Sequence, residues 1–388
     1  MATRMQRWLP PMPARSRDEE HRAATPLELF FDLVFVVAVA QASGQLHHAV
    51  AEGHALAGVR SYAMVFFAIW WAWMNFSWFA STYDTDDVPY RLVVFVQIGG
   101  ALILAAGVSD AFGGDWRVVT YGFVVMRSAM VFQWLRAAAH HPEGRTAAYR
   151  VAIGIVVLQG CWVLLLQISP EWVIPGFVLL ALAEMAVPLW SSRVAPPSWH
   201  ASHIAERYGL FTIIVLGESI LATANAIDTA ADSAGQLAAL GPIAIGGVVV
   251  VFSLWWLYFG RPMTDRLTSM RSAFAWGYGH YFVFGSGAAV GAGLAVLVDQ
   301  QNGVSEIGPL AAGYALAIPV AIFLLSLWAL HVRGANTIVE SATLPLAAAL
   351  VLAAPFVAHP APTMGAVVAG ALAIKLYACY RERLRGAG

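Results

Sequence analysis

Twelve apolar stretches of about 18 to 25 residues follow one another with short polar breaks between them, and nothing constrains the fold of this chain more. They fall at 26–50, 59–81, 90–112, 116–140, 148–168, 172–190, 204–226, 237–260, 272–297, 309–331, 342–358 and 363–381. A hydrocarbon core of about 30 Å takes about 20 apolar residues of helix to cross. Backbone N–H and C=O groups find no water there, so a span is either a helix or a strand of a closed barrel. The two-residue alternation of barrel strands is missing, which leaves helices. With 59% hydrophobic and 12% charged residues, the chain has too little polar surface to cover a soluble globule. The expected fold class is an all-α polytopic membrane protein of about 12 transmembrane helices.

The second half echoes the first. Glu28-Leu29-Phe30-Phe31-Asp32 carries acids into an apolar run, and His203-Ile204-Ala205-Glu206-Arg207, with Glu218 beyond it, does so again. Phe67-Ala68-Ile69-Trp70-Trp71-Ala72-Trp73 resembles Phe252-Ser253-Leu254-Trp255-Trp256-Leu257-Tyr258, and Tyr121 and Trp134 have counterparts in Tyr314 and Trp328. Such weak internal similarity is how transporter-type repeats show themselves; interfacial tryptophans alone would give part of it. The expected organisation is a basic tail at 1–25, six-helix halves at 26–195 and 196–381, and a short end at 382–388. Six spans per half is an even number, so the halves would be parallel repeats.

The arginines fix an expected orientation. With both termini in the cytoplasm of a multi-pass inner or plasma membrane protein, nearly all basic residues lie inside: those of the tail, Arg91, Arg136, Arg145, Arg150, Arg193, Arg207, Arg261, Arg266, Arg271, Arg333 and the end segment. Arg60 and Arg117 lie outside. Cysteine labelling from outside intact cells should therefore mark a cysteine at position 299 and spare one at 145. Labelling at 145 would overturn the helix count.

Ionisable groups inside apolar spans are expensive, so each is a functional candidate. Asp32 lies about 9 Å into the first span, one turn beyond Glu28, on the same helical face. That face could bind a cation or pass a proton, or the two acids could cap and pair structurally. Glu218 in the seventh span and Arg127 in the fourth reach similar depths, about 12 and 16 Å, and are expected to pair. Glu184 and His280 come to depths similar to Asp32 and complete a candidate ion or proton pathway of Glu28, Asp32, Glu184, Glu218 and His280.

Other motifs say less. His200, His203 and Glu206 share one helical face and could seat a metal, yet polar residues are ordinary at a membrane boundary. Asp84, Asp86 and Asp87, followed by Arg91, form an acidic loop that reads as a cation-attracting mouth or as a solvated turn. Cys161 and Cys379 suggest no disulfide framework. Phosphate-cradling and nucleophile-elbow motifs are missing, no cofactor is expected, and no basic stripe suggests nucleic acid. The expected partners are the lipid bilayer and a small ion or solute, with homo-oligomerisation left open.

Glu28-Leu29-Phe30-Phe31-Asp32-Leu33-Val34-Phe35, Tyr83-Asp84-Thr85-Asp86-Asp87 with Arg91, and His203 to Phe211 through Gly217-Glu218 resemble the hallmarks of the bacterial low temperature requirement A family over most of the chain. The resemblance implies a role linked to growth in the cold and no defined biochemical activity. Phe31-Asp32-Leu33-Val34-Phe35 is also similar to the Phe-Ser-Asp motif of a potassium-permeable channel family built from six-helix repeats, with Phe31 where that family has serine. The leading expectation is a proton- or cation-coupled transporter or ion-permeation protein. The alternatives are a membrane-embedded enzyme acting on a lipid-soluble substrate through His203, Glu206 and Glu218, and a sensor or scaffold without turnover.

Overall fold

The computed structural model describes residues 10–16, 23–195, 197–231, 233–260, 264, 267–332 and 338–386. Much of the expected basic tail (1–9 and 17–22), with Arg261, Arg266 and Arg333, lies outside the described residues. Among the described residues there is no strand, and 12 helices are long and apolar enough to cross a membrane. Their α-helical segments are α1 (Pro26–Ala51), α2 (Ala55–Tyr83), α3 (Val88–Ala106), α4 (Arg117–His140), α5 (Arg145–Leu165), α6 (Val173–Ser192), α7 (Ala201–Ala231), α8 (Ala234–Phe259), α9 (Met270–Gln301), α10 (Pro309–Leu327), α11 (Ile338–Ala353) and α12 (Pro360–Gly386), and short 3-10 or π turns extend three of them to the spans Pro170–Ser192, Pro309–Val332 and Val339–Phe356.

Local chemistry sets several of these boundaries. Thr25 and Glu28 close a reciprocal cap on α1: the Glu28 N–H donates to Thr25 Oγ1 (3.3 Å) and the Thr25 N–H to Glu28 Oε2 (2.8 Å). Pro26 stands at the first helical position, where its missing N–H costs nothing. Asp87 caps α3 by accepting from the Tyr90 N–H at 2.9 Å. The expected third span, 90–112, breaks at Gly107. α3 ends at Ala106, and Val108–Phe112 forms a separate short turn. A Cβ on Gly107 would stand 2.7 Å from Val118 Cβ, so only glycine admits the neighbouring helix there.

The chain divides into two compact units, one running to Gln41 and from Met64 to Tyr208, the other holding Ala42–Ala63 and Gly209 onward. This differs from the expected halves at 26–195 and 196–381. The boundary falls within α7, and the tip of the α1–α2 hairpin belongs with the second unit because its polar groups are satisfied there. Ser43 donates to the Ala288 carbonyl (3.1 Å), Tyr62 to the Gly285 carbonyl (2.6 Å), and the Glu306 N–H to the Ala51 carbonyl (2.8 Å).

Glycine sets close helix approach in each unit. In the first, a Cβ on Gly122 would lie 2.6 Å from Leu104 N and 2.7 Å from the Gly100 carbonyl, so α3 and α4 cross backbone to backbone. In the second, a Cβ on Gly291 would meet the Glu218 backbone at 2.7 Å, and Gly293 abuts Ala315 on α10. The glycine run of α9 thus serves two neighbours. α1 is apolar almost all round, yet its faces differ: Leu29, Phe30, Leu33 and Val37 are exposed, whereas Glu28, Phe31, Asp32 and Phe35 are buried. Acids point into protein, and aliphatic side chains point outward where lipid would be.

Candidate functional site

The first unit buries a charged cluster built from three helices, each contributing two residues four apart and so on one face. α1 supplies Glu28 and Asp32, α2 supplies Trp73 and Ser77, and α7 supplies His203 and Arg207; none is more than 2% exposed. His203 Nε2 lies 3.0 Å from Glu28 Oε1. The Arg207 guanidinium bridges both acids, with Nη1 3.2 Å from Glu28 Oε1 and Nη2 2.5 Å from Asp32 Oδ1. Nη2 also donates to Ser77 Oγ at 3.2 Å, and the Trp73 indole N–H donates to Asp32 Oδ1 at 2.7 Å. The guanidinium carbon sits 5.7 Å from the Phe76 ring centroid. Asp32 Oδ2 is buried and has no hydrogen-bond partner among the described residues. Two carboxylates and one permanent cation therefore share a site with one imidazole.

The second face of α2 serves another cluster in the same unit. Successive helical residues are about 100° apart, so Trp71 and Trp73 point in nearly opposite directions. Trp71 donates its indole N–H to Glu184 Oε2 of α6 at 2.9 Å, and Arg127 of α4 donates to the same oxygen at 3.0 Å. Trp162 of α5 donates to Oε1 at 3.3 Å, and Arg127 Nη1 reaches Asn75 Oδ1 at 3.4 Å. The expected Arg127–Glu218 pair is thereby corrected: the partner of Arg127 is Glu184, with both side chains 4% exposed or less. Depth along a span does not determine which face a side chain takes, and depth alone selected Glu218.

The remaining candidates lie elsewhere. In the second unit His280 is fully buried, its Nδ1–H donating to the Trp276 carbonyl (2.7 Å) and its Nε2 lying 3.2 Å from the Tyr258 hydroxyl oxygen. Glu218, also in that unit, is half-buried. Asp32 and Glu184 belong to the two separate clusters of the first unit. The candidate metal ligands diverge: His203 faces Glu28, Glu206 accepts from the Ala24 N–H (3.1 Å), and His200 Nδ1 meets Ser202 Oγ (2.9 Å). No group of three potential metal ligands occurs among the described residues.

The acidic loop is neutralised residue by residue. Arg15 faces Asp84 at 3.7 Å, Arg91 holds Asp86 through two bonds of 2.8 and 2.7 Å, and Arg136 holds Asp87 at 3.0 and 2.5 Å. Burial pushes the Asp87 carboxyl upward, but hydrogen bonds from Arg136 and the Tyr90 N–H outweigh it and hold the group below its ordinary value. The loop is a clasp between helices, and the reading as a cation-attracting mouth is corrected. Arg207 and Arg136, counted among cytoplasmic charges, are buried partners of acids.

Sequence reasoning missed Trp71, Trp73, Ser77 and Trp162 as partners of the acids. The signal was the matching four-residue spacing of Glu28/Asp32 and His203/Arg207, which sets two complementary faces. Over 268 residues the chain is 26% identical to the uncharacterized protein RA0937 of Rhizobium meliloti (strain 1021), an alignment covering 67% of this chain. The chain spans 62% of the length of that relative. Residues 23–377 match the family described as bacterial low temperature requirement A protein. That match takes in both buried clusters and all twelve spanning helices but the end of the last, and the chain belongs to the LtrA family of membrane proteins.

Proposed function

We propose that this protein is a proton-coupled transporter, with Glu28, Asp32, His203 and Arg207 as its proton-binding site. The charge count of that cluster carries the reading. With His203 neutral, two carboxylates against one guanidinium leave a single negative charge in a buried site, and one proton added there cancels it. His203 offers the proton one place and Asp32 Oδ2, which has no hydrogen-bond partner among the described residues, another, so a single proton has two seats within one network. A purely structural cluster would be expected to balance its charges, since an unpaired buried charge is costly. The reading extends to both termini on the cytoplasmic side and to two six-helix parallel repeats, for which the paired motifs are the support. The family description adds growth in the cold as a second readout.

The test is Asp32→Asn, which keeps side-chain volume and hydrogen-bonding reach while deleting the titratable oxygen. Protein reconstituted in liposomes loaded with a pH-sensitive dye should move protons under an imposed potential, and the variant should fall to the rate of empty liposomes while folding normally. Growth in the cold should be lost with it. Equal proton movement by the parent and a well-folded variant would remove the site from the account.

A further inference from the structure

We infer that the first unit also binds a small organic cation, an alkylammonium head seated against Glu184 and Gln159 inside a box of aromatic rings. A cavity of about 30 Å³ lies between α2, α4, α5 and α6, lined by the rings of Phe67, Trp71, Trp116, Phe123, Trp162 and Phe177. These rings brace one another: Phe67 stacks on Trp71 with centroids 5.8 Å apart, and Phe177 meets Trp162 edge-on at 5.0 Å. Three polar side chains break the aromatic wall, namely Thr120, Gln159 and Glu184. Both ends of the Gln159 amide are buried, and neither has a hydrogen-bond partner among the described residues. Its Oε1 is a buried acceptor with no donor among the described residues, and that is the end a donor-only occupant can satisfy.

The chemistry of the walls selects the occupant. Ring faces carry negative quadrupole potential and attract ammonium groups. Glu184 adds a carboxylate whose Oε1 holds only a 3.3 Å bond from Trp162, while Arg127 is engaged at Oε2 and does not line the cavity. An anion would face the carboxylate. A calcium or magnesium ion would want six or more oxygens, where the walls offer Thr120, Gln159 and Glu184. An ammonium group is about the size of a water, and about 30 Å³ holds one or two waters. Its alkyl chain has room in a second cavity of about 530 Å³, which shares Trp116, Thr120, Trp162 and Phe177 with the first and reaches the Asp115–Arg117 pair. The head would donate to Glu184 Oε1 and Gln159 Oε1.

Equilibrium dialysis of the full chain in detergent with labelled n-butylammonium tests this without any flux, so its failure leaves the proton site standing. Saturable binding of one butylammonium per chain is expected, at least tenfold tighter than that of n-butanol, its neutral counterpart. Gln159→Leu should weaken binding at least tenfold at an unchanged melting temperature. Absence of saturable binding, equal affinity for butanol, or undiminished binding by Gln159→Leu each overturns the inference. Should Gln159→Leu not fold, the parent decides alone: butylammonium should raise its melting temperature saturably and butanol should not, and equal responses overturn the site.

Discussion

Arg207→Met should be the most damaging single change in this protein. It removes the permanent cation that bridges Glu28 and Asp32, leaving two buried carboxylates one helical turn apart without that guanidinium between them. Breaking a buried ion pair from one side costs about 3–5 kcal/mol, and here one side chain serves two acids. That is a large share of the roughly 5–15 kcal/mol that holds a typical fold together. The variant should melt far below the parent or fail to give a monodisperse species in detergent. Arg207→Lys should fall between them, because a single ammonium cannot span two carboxylates as the planar fork does. Adding Glu28→Gln and Asp32→Asn to Arg207→Met should restore most of the lost stability, since it is the uncompensated charge that destabilises. An Arg207→Met protein that melts with the parent would show the cluster to be energetically idle.

Arg127→Met should come second, at about 3 kcal/mol, the lower end for a broken buried pair. The cost is smaller because Glu184 keeps two indole donors, Trp71 and Trp162, once the guanidinium is gone. Glu184→Gln should also destabilise, leaving Arg127 with Asn75 and the Phe123 ring, 5.6 Å from its guanidinium carbon. The double change should cost less than the sum of the two single ones, and thermal melts of the four proteins in one detergent measure that difference directly. Additive losses would mean that the two side chains meet without stabilising each other.

The sequence made the spans legible because apolar length is a one-dimensional property, and twelve stretches became twelve helices with ends moved by a few residues. Where glycine let a neighbour in, as at Gly107, hydropathy carried no sign of it. The importance of Glu28 and Asp32 was legible from their burial in an apolar run and their shared face. Their partner was not, because Arg207 sits near a predicted span end, where an arginine ordinarily meets headgroups or water. The choice between Glu184 and Glu218 for Arg127 depended on rotation about a helix axis, which near-uniform apolar surroundings leave unmarked. The tryptophans of α2 read as part of a repeat or as interfacial anchors, since an indole N–H that satisfies a buried carboxylate leaves no spacing signature of its own.

The placement of Trp71 and Trp73 has a mechanical consequence. One rigid rod presents a hydrogen-bond donor to a carboxylate on each of two opposed faces. With each indole nitrogen about 5 Å from the axis, a roll of about 20° displaces both by about 2 Å in opposite directions, enough to break either bond. A roll of α2 as a rigid rod would therefore strain both bonds at once. Two clusters with no residue in common thus depend on how a single helix is seated.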